Sequence, residues 1–168
     1  MTLSSRRLIS TWLPVALMVM GVASESTPSF GGDHTGHLLR PVWEFFFGVT
    51  SDVRWEFVHH LIRKSGHFLY YGALGLVWLR AWLRTWKVRF VWDRGWLLWR
   101  WSMQMSMCCT CLVAAMDETH QSYLPNRTGL VTDVLLDSSG AVLMVGAAFV
   151  VMWARVPRGS QQTFMAGL

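Results

Sequence analysis

Charge is what this sequence lacks most. Lys, Arg, Asp and Glu make up 15% of its 168 residues, against about a quarter in an ordinary soluble domain. With 52% hydrophobic residues, that shortage excludes a disordered chain, which needs low hydrophobicity and high net charge. Cysteine is scarce too. Cys108, Cys109 and Cys111 are all there are, and Cys-Cys-Thr-Cys lacks the spacing of a zinc ribbon, so they read as small apolar residues within a helix. A P-loop, a dinucleotide fingerprint and a Ser-His-Asp order are absent, so no cofactor is expected. His34-x-x-His37 and His59-His60 lack a Cys or carboxylate partner, and no metal is expected there. The length fits one domain over residues 1–168.

Aromatic and apolar residues are abundant. Eleven Trp and nine Phe suit a membrane protein with interfacial aromatic belts. Four apolar stretches predict an all-α, four-span membrane protein, with spans at about 8–23, 60–83, 96–116 and 134–154. Arg6-Arg7 followed by an apolar run and Gly21-Val22-Ala23 also describes a cleavable signal peptide; the segment is read as a retained helix. Pro14 within it requires a neighbour to satisfy the carbonyl it frees. His37 to Val49 predicts a short amphipathic helix lying in the outer interface after a loop from Ser24 to Gly36. This helix could cover the polar end of the bundle, with Trp43 at its mouth.

The net charge of +5 has meaning only once it is located. With the N-terminus inside, Arg6, Arg7, Arg80, Arg84, Lys87, Arg89, Arg94, Arg100, Arg155 and Arg158 are cytoplasmic. Arg40, Arg54, Arg63, Lys64 and Arg127 lie outside. The ten-to-five bias predicts cytoplasmic termini in an inner membrane, with Ser24–Gly66 and Glu118–Thr132 outside. The charge is then a positive-inside signature, and no nucleic-acid partner is expected.

Every histidine falls on the outer side, and polar residues written into helix ends concentrate there. Lys64, His67, Tyr71 and Gly75 fall at helical spacing on one face. Asp117, Glu118 and Gln121 form a second set before Pro125, which stops the helix; Asn126 to Gly129 then reads as a turn. Asp133 opens the next helix, where a carboxylate suits the positive dipole end, and Asp137 lies one turn deeper above Gly140. Charges within a bilayer cost about 2.5–3.5 kcal/mol each on insertion scales, so these groups are expected to face one another. Asp33, Asp52, Arg54 and Glu56 read as a solvated rim.

The segments Arg63-Lys64-x-x-His67-Phe68-x-x-Tyr71 and Asp117-Glu118-x-x-Gln121-x-x-x-Pro125-x-Arg127, followed by Asp133 and Asp137-x-x-Gly140, resemble the VanZ-like family of small bacterial membrane proteins. The resemblance covers about residues 14–153. Members commonly carry Glu where this chain has Tyr70. The family's founding member is linked to low-level resistance to the glycopeptide teicoplanin, which implies a cell-envelope context.

Chemically, Lys64, Gln121, Arg127, Asp133, Asp117 and Asp137 are candidates for binding the anionic headgroup of a lipid-linked molecule at the outer face. His67, which titrates near neutrality, and Glu118, a carboxyl that burial would raise, are candidates for acid–base chemistry. Membrane lipid is the expected partner. Two alternatives stay open: a purely structural salt-bridge network, and an accessory subunit packed among other membrane subunits of a larger complex.

Overall fold

The computed structural model describes residues 3–27, 32–89, 95–124 and 130–155, and within them every regular element is a helix. The order is α1 (Leu3–Glu25), α2 (Gly32–Phe47), α3 (Asp52–Arg89), α4 (Gly95–Ser122) and α5 (Val131–Arg155). α3 is the centre of the bundle and packs against all four others.

The elements run longer than the apolar stretches. α2 begins at Gly32 rather than after Gly36, and α3 begins at Asp52 and continues to Arg89. The basic stretch from Arg84, expected as a connection, is the last part of α3. Nothing in it breaks a helix, Trp78, Trp82 and Trp86 stack in a row along the same face, and Thr85 Oγ1 donates to the Ala81 carbonyl at 2.8 Å. α2 ends where Gly48 takes φ +82°, a left-handed position that favours glycine, and its N–H donates to the Glu44 carbonyl at 2.9 Å.

Arg40 locks the tight connection to α3. It donates to Glu44 Oε1 at 3.0 Å and to the Thr50 carbonyl at 2.9 Å, and pairs with Asp52 at 2.8 Å. Asp52 is therefore solvent-exposed, as its reading as a rim residue expects, and also part of the clamp. The Arg40 guanidinium holds the Glu44 carboxyl below its ordinary value, helped by the Thr50 N–H.

Two helices, over Ser5–Glu25 and Val131–Arg155, are long and apolar enough to cross a membrane. α3 and α4 are long enough but carry more polar residues at their ends. The proline in α1 meets the condition set by its sequence. Pro14 cannot donate to Ser10, and the Ser10 carbonyl instead accepts from Arg80 Nη2 at 3.4 Å.

Small residues set how closely the helices approach. Gly75 of α3 faces Ala141 and Val145 of α5. On α4, Ser102, Ser106, Thr110 and Ala114 form a buried stripe at helical spacing. Ser106 Oγ donates across to the Gly75 carbonyl at 2.6 Å. Val22, Tyr71, Leu74 and Ala114 make the apolar core.

Candidate functional site at the polar end of the bundle

α1 and α4 end, and α3 and α5 begin, on the same side of the bundle, and there Asp117 ties three of them together. Its Oδ2 accepts from Tyr71 Oη of α3 and from Gln121 Nε2 of α4, each at 3.0 Å. Its Oδ1 accepts from Ser26 Oγ, just past α1. A carboxylate 8% exposed with three donors on it is satisfied, and it serves as an internal knot.

Beside the knot lies a cavity of about 210 Å³, lined by His60, Arg63, Lys64 and His67 of α3, Glu118 and Gln121 of α4, and Leu130, Asp133, Leu136 and Asp137 at the start of α5. Lys64 pairs with Asp133 across it. Glu118 Oε2 accepts from the Leu130 N–H at 2.9 Å, clamping the entry of α5 to the exit of α4. Glu118 lies past the expected end of its span; burial pushes its carboxyl above the ordinary value, and the Leu130 N–H pulls it partly back. At the floor, Asp137 is fully buried and neither carboxylate oxygen has a hydrogen-bond partner. Its nearest ionic neighbour is His67 Nδ1 at 3.6 Å.

Gly140 makes this geometry. A Cβ there would collide with the Phe68 carbonyl, so α3 and α5 touch backbone to backbone. Phe68 follows His67, and Gly140 lies one turn below Asp137, so this one contact brings the two side chains together.

Of the residues singled out from sequence, Lys64, His67, Glu118, Gln121, Asp133 and Asp137 share the cavity. Asp117 sits beside it in the knot, and Arg127 lies outside the described residues. Two further lining residues, His60 and Arg63, were not among the candidates, although their spacing to Lys64 and His67 places all four on one helical face. Arg63 also lines two adjoining cavities. One, of about 340 Å³, is bounded by Glu25, Thr35, Leu39, Gly66, His67 and Tyr70. The other, of about 470 Å³, lies between α2 and α3.

Among the described residues, Arg63 makes no ion pair. Trp43, expected at the mouth, lines none of these three cavities and stacks on Phe47 at 4.2 Å. Tyr70 donates instead to the Met18 carbonyl of α1 at 2.9 Å.

The model of the VanZ/LLP1 family matches residues 11–153, which contain the knot, the cavity and the Gly140 contact. The chain belongs to the VanZ/LLP1 family. No curated protein and no solved structure matches it. The VanZ/LLP1 match ends near the end of α5 and leaves residues 154–168 outside.

Proposed function

We propose that this VanZ/LLP1 protein is a four-span inner-membrane protein of the bacterial envelope, with both termini cytoplasmic, that binds the anionic headgroup of a lipid or lipid-linked molecule at its outer face. The observation that carries the reading is Arg63: a guanidinium on the wall of three adjoining cavities with no carboxylate on it among the described residues. An arginine that makes no ion pair beside a polar cavity is suited to phosphate, which it can grip through two parallel hydrogen bonds. α2 supports delivery from the membrane. Phe45, Phe46 and Phe47 are 82%, 71% and 70% exposed, an apolar edge that belongs in the outer leaflet beside the cavities.

Native mass spectrometry of the intact protein in mild detergent tests this, with phosphatidylglycerol and phosphatidylcholine as competing probes. Preferential retention of phosphatidylglycerol, lowered about tenfold or more by Arg63→Gln, is the expected result, given the ~1.4 kcal/mol that a charge-assisted contact readily supplies. Equal retention of both lipids, or indifference to Arg63→Gln, rejects the reading.

A second reading, an accessory subunit of a membrane complex, has one observation in its favour. The start of α3 carries an exposed apolar edge, with Val53 and Phe57 at 80% and 66%, and either lipid or a neighbouring subunit could cover it. Co-purifying membrane subunits sealed over the Arg63 cavity would favour this second reading.

A further inference from the structure

His67 stands between two cavities. It lines the one of about 210 Å³ with Lys64, Glu118 and Asp133, and the one of about 340 Å³ with Thr35, Leu39 and Tyr70. Arg63, one turn before it, lines both as well. Behind the ring, Asp137 is fully buried, neither of its oxygens has a hydrogen-bond partner, and Oδ2 lies 3.6 Å from His67 Nδ1. A carboxylate held against one ring nitrogen keeps the imidazole proton on that side and leaves the other nitrogen as a proton acceptor. Burying an unsatisfied carboxylate is costly, yet the Gly140 contact, which tolerates no Cβ, holds it there.

We propose that His67 is the catalytic base of a transfer reaction between two reactants, one in each cavity, and that Asp137 is its positioning residue. This rests on the anionic-headgroup reading above, because the donor is a phosphate ester held by Arg63 in the smaller cavity, where Lys64 offsets Asp133. The acceptor is a hydroxyl compound in the larger one. The acceptor O–H gives its proton to His67 Nε2 as its oxygen bonds to phosphorus. The bond from phosphorus to the leaving oxygen breaks, and that oxygen takes the proton from Nε2. No metal or redox partner enters this balance, and His67 ends as it began. Glu118 is not given a part in the step, since its Oε2 is held by the Leu130 N–H and it lines only the smaller cavity.

The test uses the full chain, labelled with nitrogen-15 histidine, in vesicles of phosphatidylethanolamine and phosphatidylglycerol. Solid-state NMR above the imidazole pKa should find His67 protonated at Nδ1 and bare at Nε2. Asp137→Asn should reverse this and Asp137→Glu should restore it; should Asp137→Asn fail to fold, the wild-type assignment decides alone. Protonation at Nε2 in the wild type overturns the base.

Site-resolved modification by diethyl pyrocarbonate, which needs a bare ring nitrogen, then reads access. His67 should react faster than the exposed His120, and dihexanoyl phosphatidylglycerol should protect it. Leu136→Trp, filling the smaller cavity, and Leu39→Trp, filling the larger, should each leave His67 reactive, and the double variant should abolish its reaction. Loss in one single variant overturns the two-reactant arrangement. Failure of the lipid to protect, with the bare Nε2 intact, overturns the headgroup reading and the transfer step with it, but not the Asp137–His67 relation.

Discussion

Asp117 and Asp137 are both carboxylates buried near helix ends, yet their surroundings predict opposite responses to removal. Asp117 is the acceptor for Ser26, Tyr71 and Gln121. Asp117→Leu strands the Tyr71 hydroxyl and the Gln121 amide in the interior, while Ser26 Oγ keeps the Val22 carbonyl at 3.1 Å, and unsatisfied buried groups cost about 1–3 kcal/mol each. Asp137 makes no hydrogen bond, so Asp137→Leu strands no hydrogen-bonded donor and exchanges a desolvated carboxylate for an apolar side chain. Thermal unfolding in detergent should therefore move down for the first variant and hold or move up for the second. The same loss in both would remove the distinction between knot and site. A carboxylate that costs stability where it stands is the pattern of a group kept for function.

Gly140 gives a second test at the same scale. Gly140→Ala places a methyl on the Phe68 carbonyl, and backbone cannot yield as a flexible side chain can, so a loss of about 1–3 kcal/mol is expected. Gly146→Ala in the same helix meets nothing within 4 Å, and replacing a helical glycine there should be neutral or favourable by roughly 0.5–1 kcal/mol. Lys64 and Asp133, with side chains 28% and 21% exposed, should show a coupling of about 0.5–3 kcal/mol in a Lys64→Met, Asp133→Leu double-mutant cycle. A coupling indistinguishable from zero would make their pairing incidental.

At the scale of elements, the joint between α2 and α3 responds to acid in a defined direction. The Glu44 carboxyl is held below its ordinary value by Arg40 and by the Thr50 N–H. Its contribution is therefore fully present above the usual glutamate pKa and is lost as pH falls through the lowered one. Hydrogen exchange at Thr50, corrected for its intrinsic pH dependence, should show the joint loosening in that window, and Glu44→Gln should loosen it at neutral pH already. High salt should weaken the clamp as well, because its charges are exposed to solvent.

The helices themselves were legible because apolar periodicity reports a buried stripe. Their ends were not, because Asp52 and Arg84–Arg89 carry polar groups that extend a helix without adding to that stripe. The site was legible where polar residues recur at helical spacing, as in Lys64 and His67 or Glu118 and Gln121. The separation of Asp117 from the cavity was not, since it depends on Ser26 reaching across from α1, a contact between residues ninety-one apart in sequence. Arg63 and His60 obey the same spacing as Lys64 and His67. They were passed over because a basic residue at a helix end reads equally well as solvated.

For the whole molecule, a layer of tryptophans at the other end of the bundle gives a measure of thickness and a prediction of orientation. Opposite the site, Trp12 of α1 packs edge-on against Trp78 and Trp82 of α3, and Trp86 continues the stack. Trp96 and Trp99 of α4 meet Phe149 of α5, which stacks with Trp153. Indole rings gather where hydrocarbon gives way to headgroups. From Lys64 to Trp86 is 86 − 64 = 22 residues of α3, about 33 Å at 1.5 Å per residue, and from Asp133 to Trp153 is 153 − 133 = 20 residues of α5, about 30 Å. Both match a hydrocarbon core of about 30 Å. α3 is thus long enough to cross the same thickness as α5, although its ends are too polar for it to pass for a span by composition. Within that stretch Lys64 is paired with Asp133 across the bundle, and Arg80 and Arg84 fall within two turns of Trp86 at the other end.

With the basic excess on the Trp side, that side is expected to face the cytoplasm. In a variant freed of its native cysteines, Ser51→Cys should be labelled by an impermeant maleimide from outside intact cells, and Lys87→Cys only after permeabilisation. Labelling of position 87 from outside would invert the protein and turn the His67 cavity to the cytoplasm. Labelling of both from one side would mean that α3 does not cross, and the tryptophan layer would then need another explanation than a second interface.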